Sequence, residues 1–237
     1  MESTTKHPNN DQLPGATERH VYKESNFLKF LEWTTILRNA SGGERVCHFG
    51  CGDGSLLELE YRNRAGTASY IGLDSDSALI EANKTKWQQL DWAQFITADL
   101  ASGGNDYSAF LNIEADTVVA FNVPKTLRKI PMYHYIQNLY MCGNLDARYY
   151  LRLPKATDHV AEGDLIHFIN QYFIVVNRFG LHGSIEDFKP LMNDWQREMC
   201  EGLLQYYSPE IVSGFMSPFF PDQCQQTLWV LKRKLTI

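Results

Sequence analysis

The sequence has few of the features that mark membrane, secreted or nucleic-acid-binding proteins. No run of 18 consecutive apolar residues occurs among its 237 residues, so we expect no helix that spans a bilayer. No apolar stretch precedes Val21, so we expect no secretory signal. Lys and Arg number 22 against 28 Asp and Glu, giving a net charge of −6. This balance disfavours a nucleic-acid partner, because such sites need clustered cations.

Cysteine is sparse, and its spacing does not suit metal binding. The five cysteines are scattered, and the closest pair, Cys47 and Cys51, is not followed by a second pair at ligand spacing. We therefore predict no metal site. An odd number of cysteines without a secretory signal indicates reduced thiols and predicts a cytoplasmic protein.

Three familiar enzyme motifs are also missing. The sequence contains no Tyr-x-x-x-Lys pair, as a short-chain dehydrogenase would need, and no Gly-x-Ser-x-Gly of an α/β-hydrolase. The G-x-G-x-x-G motif of nicotinamide-binding proteins is also absent, because the loop that starts at Gly50 has Ser55 where this motif has its third glycine.

What the sequence does contain is an alternation of strand-like and helix-like segments, which is typical of an open parallel sheet. Seven strands are predicted at 45–49, 69–74, 93–97, 116–121, 148–153, 214–220 and 227–234. Helices are predicted at 24–38, 55–63, 77–90 and 126–141, with two more over 164–207 that are separated near Gly180–Gly183. The fold class is therefore α/β, with a seven-stranded, mostly parallel sheet, helices on both faces, an antiparallel last strand and extra helices before strand six. We predict a flexible tail at 1–20 and a single domain over 21–237, with a helical insertion or lid at 156–213.

Three strand ends carry groups that suit a nucleoside ligand. The first predicted strand enters a loop with glycine at Gly50, Gly52 and Gly54, where a ligand can contact bare backbone. Asp74 ends the second strand 24 residues after Gly50, close to the distance expected for an acid that binds ribose hydroxyls. Asp99 follows the third strand and could accept a hydrogen bond from an exocyclic amine. Parallel sheets bind ligands at these strand ends, so we predict an adenosine-bearing ligand.

These segments resemble the ordered motifs of the class I S-adenosylmethionine (SAM)-dependent methyltransferases. The four motifs are VCHFGCGDG at 46–54, YIGLD at 70–74, FITADL at 95–100 and DTVVAFNV at 116–123, and TLWVLK at 227–232 is similar to the family's reversed last strand. The resemblance implies SAM as cofactor, with the glycine loop against its methionine part, Asp74 on the ribose and Asp99 on the adenine. The implied cofactor-binding residues are Gly50, Cys51, Gly52, Gly54, Asp74, Asp99, Leu100 and Asn122.

The acceptor is predicted to be a small molecule, methylated by in-line transfer. The fourth motif lacks the Asn-Pro-Pro-Tyr type of sequence found in enzymes that methylate amide or nucleobase nitrogen. Candidate catalytic residues are Asn122 after the fourth strand, His134 on the following helix and Tyr172 on the first extra helix. Two alternatives stay open: another SAM reaction that releases methylthioadenosine, and a catalytically silent SAM-binding subunit.

Overall fold

The computed structural model describes residues 44–63, 68–103, 108–121, 127–154, 160–181, 183–224 and 226–234. The predicted tail at 1–20, the predicted helix at 24–38 and the predicted site residue Asn122 lie outside the described residues.

The described part of the chain forms a seven-stranded sheet with the order β3-β2-β1-β4-β5-β7-β6. The strands are β1 (Arg45–Phe49), β2 (Ser69–Asp74), β3 (Ala93–Thr97), β4 (Ala115–Ala120), β5 (Gly143–Pro154), β6 (Phe173–Leu181) and β7 (Gln226–Arg233). β1 to β5 pair in parallel, whereas β7 runs antiparallel to both of its neighbours, β5 and β6. The predicted seven-stranded sheet with an antiparallel last strand is confirmed.

Helices connect these strands. They are α1 (Ser55–Asn63), α2 (Ser77–Lys86), α3 (Ser108–Leu111), α4 (Lys129–Met141), α5 (Glu162–Tyr172), α6 (Ile185–Phe188), α7 (Asp194–Leu204) and α8 (Pro209–Met216). Side-chain caps fix several starts: the Asp76 carboxylate accepts from the backbone of Ala78 and Leu79 at the start of α2. None of the helices in the described residues combines the length and the apolar character that crossing a membrane requires.

Each face of the sheet has its own hydrophobic core, because successive strand residues point to opposite sides. On one face Phe49, Val118 and Leu151 pack with residues of α4 and α5. On the other face Val119 and Tyr150 pack with residues of α1 and α2. Most residues of β1 and β4 are buried, as expected for central strands that are covered on both sides. The prediction of helices on both faces is confirmed.

The prediction was wrong for the order of elements after α5. Residues 173–181, predicted as helix, form strand β6, and residues 214–220, predicted as strand, form the end of α8 and a 3₁₀ turn. The extra helices α6 to α8 therefore follow strand six instead of preceding it, and the segment 156–213 is not wholly helical. Its role as a lid stays a prediction.

Gly180 was predicted to separate two helices, but it lies in strand β6, where close packing requires a glycine. A Cβ at this position would collide with the Ser217 carbonyl oxygen and with the Cys224 sulfur. Glycine at this position lets the segment after α8 approach the backbone of β6. Residues 185–224 pack around a third small core, in which the rings of Phe188 and Phe220 stack at 4.9 Å.

Candidate functional site

The glycine loop after β1 has a conformation that other residues rarely adopt. Gly50, Gly52 and Gly54 have φ values of 80°, 52° and 71°, in the left-handed region that glycine enters without steric cost. The loop is anchored on the end of β2, because the backbone N–H groups of Gly50 and Cys51 both donate to the Leu73 carbonyl oxygen at 2.8 Å.

Gly52 and Gly54 serve different purposes in this loop. A Cβ on Gly54 would approach the Asn83 Oδ1 to 2.5 Å, so Gly54 permits close packing of α2 against the loop. A Cβ on Gly52 would meet no atom of the described residues within 4 Å. With respect to the described residues, the bare backbone at Gly52 therefore faces open space, where a ligand can contact it. This opening fits a nucleoside cofactor at the carboxyl edge of the sheet.

Asp74 links the glycine loop to the end of β2. Its Oδ2 accepts the Gly52 N–H at 2.8 Å, and its Oδ1 accepts the Asp76 N–H at 3.0 Å. Each carboxylate oxygen has two lone pairs, so each can accept one more hydrogen bond. Two adjacent hydroxyl groups match this remaining capacity, and the half-buried side chain is still reached by solvent.

Burial keeps the neighbouring Cys51 thiol neutral. Desolvation, and to a smaller extent the negative charge of Asp74, raises the pKa of Cys51 to about 12. The thiolate is the reactive form of cysteine, so Cys51 is not a nucleophile at neutral pH.

Asn83 is a site residue that the sequence analysis missed. Its Nδ2 donates to the Gly52 carbonyl oxygen at 2.7 Å, and Asn83 is one of the buried residues of α2. The bond fixes the peptide after Gly52 and thereby the direction of the loop. In the sequence, the only sign of this role is that Asn83, a polar residue of modest helix propensity, lies in the middle of a predicted helix. This sign is weak.

The third predicted segment lies beside Asp74. The Ala98 N–H donates to the Asp74 carbonyl oxygen at 2.9 Å, so the loop after β3 starts directly at the end of β2. Asp99 is exposed, and its Oδ1 accepts the Ala101 N–H at 3.1 Å. Leu100 is buried beneath this loop. The structure thus brings the glycine loop, Asp74, Asp99 and Leu100 to one edge of the sheet.

Helix α4 supports the loop that follows β3. The buried Asn138 donates from Nδ2 to the carbonyl oxygens of Leu100 and Ser102, both at 3.1 Å. One turn earlier, the His134 ring lies against Gly103, where a Cβ would collide with it. His134 therefore lies on the β3 side of the site, and its Nδ1 is buried without a partner among the described residues. The structure gives it a packing contact, and its predicted catalytic role stays a prediction.

The structure does not bring Tyr172 to the site. Tyr172 ends α5 immediately before β6, whose first residue, Phe173, pairs with Arg233 at the opposite, amino-terminal edge of the sheet. Its hydroxyl donates to the Tyr133 hydroxyl at 2.5 Å, and its ring packs 5.2 Å from that of Tyr140. We correct the predicted catalytic role on this ground, since Tyr172 joins α4 to α5.

Two further observations limit where a ligand can bind. A cavity of about 480 Å³ lies at the amino-terminal edge, but its Asp116 carboxylate already accepts from the Arg45 N–H and the Asn144 side chain. No group of three or more His, Cys, Asp or Glu residues in the described ranges is arranged to hold a metal ion.

Comparisons with known proteins agree with this geometry. Neither a family model nor a curated protein matches the sequence. Among solved structures, the chain is similar to a TehB-like SAM-dependent methyltransferase from Corynebacterium glutamicum (18% identity, 86% of this chain and 87% of that chain, TM-score 0.58). It is also similar to the N-methyltransferase NodS from Bradyrhizobium japonicum (13% identity, 90% of this chain and 100% of that chain, TM-score 0.56). A third similar structure is a SAM-dependent methyltransferase from Archaeoglobus fulgidus (14% identity, 87% of this chain and 94% of that chain, TM-score 0.54). This chain therefore has the Rossmann-like fold of the class I SAM-dependent methyltransferases.

Proposed function

We propose that this protein is a SAM-dependent methyltransferase that acts on a small-molecule acceptor. The observation that carries the proposal is the junction of Gly52 and Asp74. A carboxylate with spare acceptor capacity is held by hydrogen bonds next to bare backbone that faces open space, in a fold shared with SAM-dependent methyltransferases.

Each part of the site has a distinct role in this proposal. The two oxygens of Asp74 accept from the ribose hydroxyls, and the remaining capacity of Asp99 suits the exocyclic amine of adenine. The backbone around Gly52 lies against the methionine part, held there by the bond from Asn83. When bound, SAM supplies an electrophilic methyl group: the acceptor's lone pair forms the new bond while the carbon–sulfur bond breaks and its electron pair stays on sulfur.

The protein's contribution to such a reaction is mainly positioning. Holding donor and acceptor in line supplies effective molarity, and the rigid contacts of Gly50, Cys51 and Gly52 with β2 fix the donor side. The neutral Cys51 thiol matters here, because a thiolate beside a methyl donor would itself be alkylated. Its pKa of about 12 keeps that side reaction slow at neutral pH.

The choice of a small acceptor rests on charge and on sequence. The net charge of −6 disfavours a phosphate backbone, and the fourth motif is unlike that of nitrogen-methylating enzymes of nucleobases. All five cysteines are buried free thiols, in keeping with the proposed cytoplasmic location.

Product analysis tests the proposal. The purified protein is incubated with SAM, alone and with a small-molecule extract, and the nucleoside products are identified by mass spectrometry. We expect S-adenosylhomocysteine to form only when extract is present. Methylthioadenosine would instead indicate cyclisation or aminocarboxypropyl transfer, and binding without any product would indicate a silent subunit. A variant with Asp74→Asn serves as the matched control for background hydrolysis.

A further inference from the structure

A second cavity, of about 240 Å³, opens between α5, β6 and the end of the extra helical segment. It lies at the carboxyl edge of the sheet, because its residues Leu153 and Thr227 pair at the end of β5 and the start of β7. This is the edge that carries Asp74. The residues that line it and are used below are Leu153, Glu162, Leu165, Arg178, Asp222 and Trp229.

Two contacts position Arg178 at this cavity. Its guanidinium carbon lies 4.6 Å from the centre of the Trp229 ring, a cation–π contact. Its Nη2 donates to Asp222 Oδ1 at 3.1 Å, and the Asp222 side chain is 72% exposed. An ion pair this exposed holds its partners weakly, so a ligand can compete for the guanidinium.

One donor of Arg178 lacks an acceptor. Its Nε is buried and has no hydrogen-bond partner within the described part of the chain. A buried donor without an acceptor is unfavourable, and a planar guanidinium is shaped to bind carboxylate or phosphate oxygens. Leu153, Leu165 and Trp229 form apolar parts of the lining, and the carboxylates of Glu162 and Asp222 belong to it as well. Among the described residues that line the cavity, Arg178 is the one with a positive charge.

We propose that this cavity binds an anionic group of the methyl acceptor, a carboxylate or a phosphate, through the guanidinium group of Arg178, in place of the exposed Asp222 carboxylate. The inference rests on the proposed function, because it assigns the cavity to the acceptor. Arg178 lies on β6, three strands from β4, which is about 14 Å at the usual strand spacing. An elongated acceptor that is held at Arg178 by its anionic end can therefore reach across β7 and β5 toward the end of β4. Glu162 and Asp222 also line the cavity, so the anionic group has to displace Asp222 from Arg178 in order to bind.

A binding experiment tests the site without catalysis. Benzoate and its uncharged analogue benzamide are titrated into the ¹⁵N-labelled protein, and the Nε–H resonance of Arg178 is followed by NMR. We expect benzoate to shift this resonance and benzamide to leave it in place. Equal shifts with both probes, or no shift with benzoate, would overturn the proposal.

Three variants sharpen the result. R178Q should weaken benzoate binding by about tenfold or more, the loss expected for one charge-assisted hydrogen bond. R197Q, the same change at an exposed residue of α7, should leave it unaltered. D222N removes the competing carboxylate and should tighten binding by about two- to fivefold. An unaltered affinity in D222N contradicts the proposal even if R178Q fails to fold.

A second arm identifies the acceptor's charge directly. An extract is separated into anionic, neutral and cationic pools on ion-exchange resins, and each pool is incubated with the protein and methyl-labelled SAM. We expect label to enter the anionic pool and R178Q to lower its incorporation by about tenfold. Label only in the neutral or cationic pool refutes the assignment.

The two arms keep the proposals apart. If calorimetry shows no SAM binding while benzoate still shifts the Arg178 resonance, the proposed function is wrong. The cavity then binds anions, but its assignment to the methyl acceptor is lost. If SAM binds and label enters a pool other than the anionic one, the function stands and the anion site fails.

Discussion

The Asp74→Asn substitution tests how this chain holds a nucleoside. The native carboxylate accepts two backbone N–H groups, from Gly52 and Asp76, at 2.8 and 3.0 Å. An amide of nearly the same shape replaces one of these oxygens by an N–H₂ donor. That donor then faces a backbone donor, and the negative charge is lost.

The expected loss follows from the hydrogen bonds removed. A hydrogen bond to a charged group contributes about 1.5–3 kcal/mol, and the amide loses at least one such bond to the ribose. We therefore expect cofactor binding to weaken by about 2–3 kcal/mol, which corresponds to a factor of about 30 to 150 in Kd.

Isothermal titration calorimetry with S-adenosylhomocysteine measures this change. Asp91→Asn is the matched control, because Asp91 is exposed in the turn that precedes β3; its Kd should equal that of the native protein. Thermal unfolding of both variants shows whether Asp74→Asn also destabilises the glycine loop, so that this effect can be distinguished from loss of the ribose contact. A native-like Kd in Asp74→Asn, together with native-like stability, would refute the reasoning.

Three other outcomes follow from the same structure. Gly54→Ala should lower the free energy of unfolding more than Gly52→Ala. Both positions have positive φ, at about 1–3 kcal/mol of strain, but only at Gly54 would the added Cβ also collide with the Asn83 side chain. Gly52→Ala should instead mainly weaken cofactor binding in calorimetry, and the reverse order would contradict the roles assigned. Tyr172→Phe should cost about 1 kcal/mol of stability and leave kcat unchanged; a large fall in kcat would restore its catalytic role. Because burial raises the pKa of Cys51 to about 12 from an ordinary 9.0, the folded state binds the proton more tightly than the unfolded chain. That stabilisation is complete below about pH 9 and declines as the pH rises toward 12. Denaturant unfolding from pH 8 to 11 should show a steeper fall for the native protein than for Cys51→Ala.

The central strands could be predicted because their signal is local. β1, β2 and β3 end at or near a glycine or an aspartate, namely Gly50, Asp74 and Asp99, and the structure agrees with the predicted bounds within a residue. The ligand-facing loop could be predicted for the same reason, since closely spaced glycines and a following acid are visible in sequence.

The edge of the sheet could not be predicted from local pattern. β6 is an edge strand whose residues are largely half-buried or exposed, so polar Asn177 and Arg178 interrupt its apolar run. Its bulge between Val175 and Asn177 also breaks the alternation. Conversely, residues 214–220 contain apolar side chains that pack against α6 and α7. In the sequence alone, this apolar run resembles a strand, because the helices that cover it are not visible there.

Contacts between distant segments were also beyond the sequence. The bond from Asn83 to Gly52 joins residues 31 positions apart, and that from Asn138 to Leu100 joins residues 38 apart. Tyr172 was a candidate because it lies on the first extra helix, within the segment predicted as a lid, yet the direction of β6 places it at the other edge.

A crystal structure of the complex with S-adenosylhomocysteine tests the central claim most directly. We predict the ribose hydroxyls within hydrogen-bond distance of both Asp74 oxygens, the adenine amine at Asp99 and the amino-acid part along Gly52. A nucleoside bound anywhere else on the molecule, or at this edge without contact to either carboxylate, would contradict it.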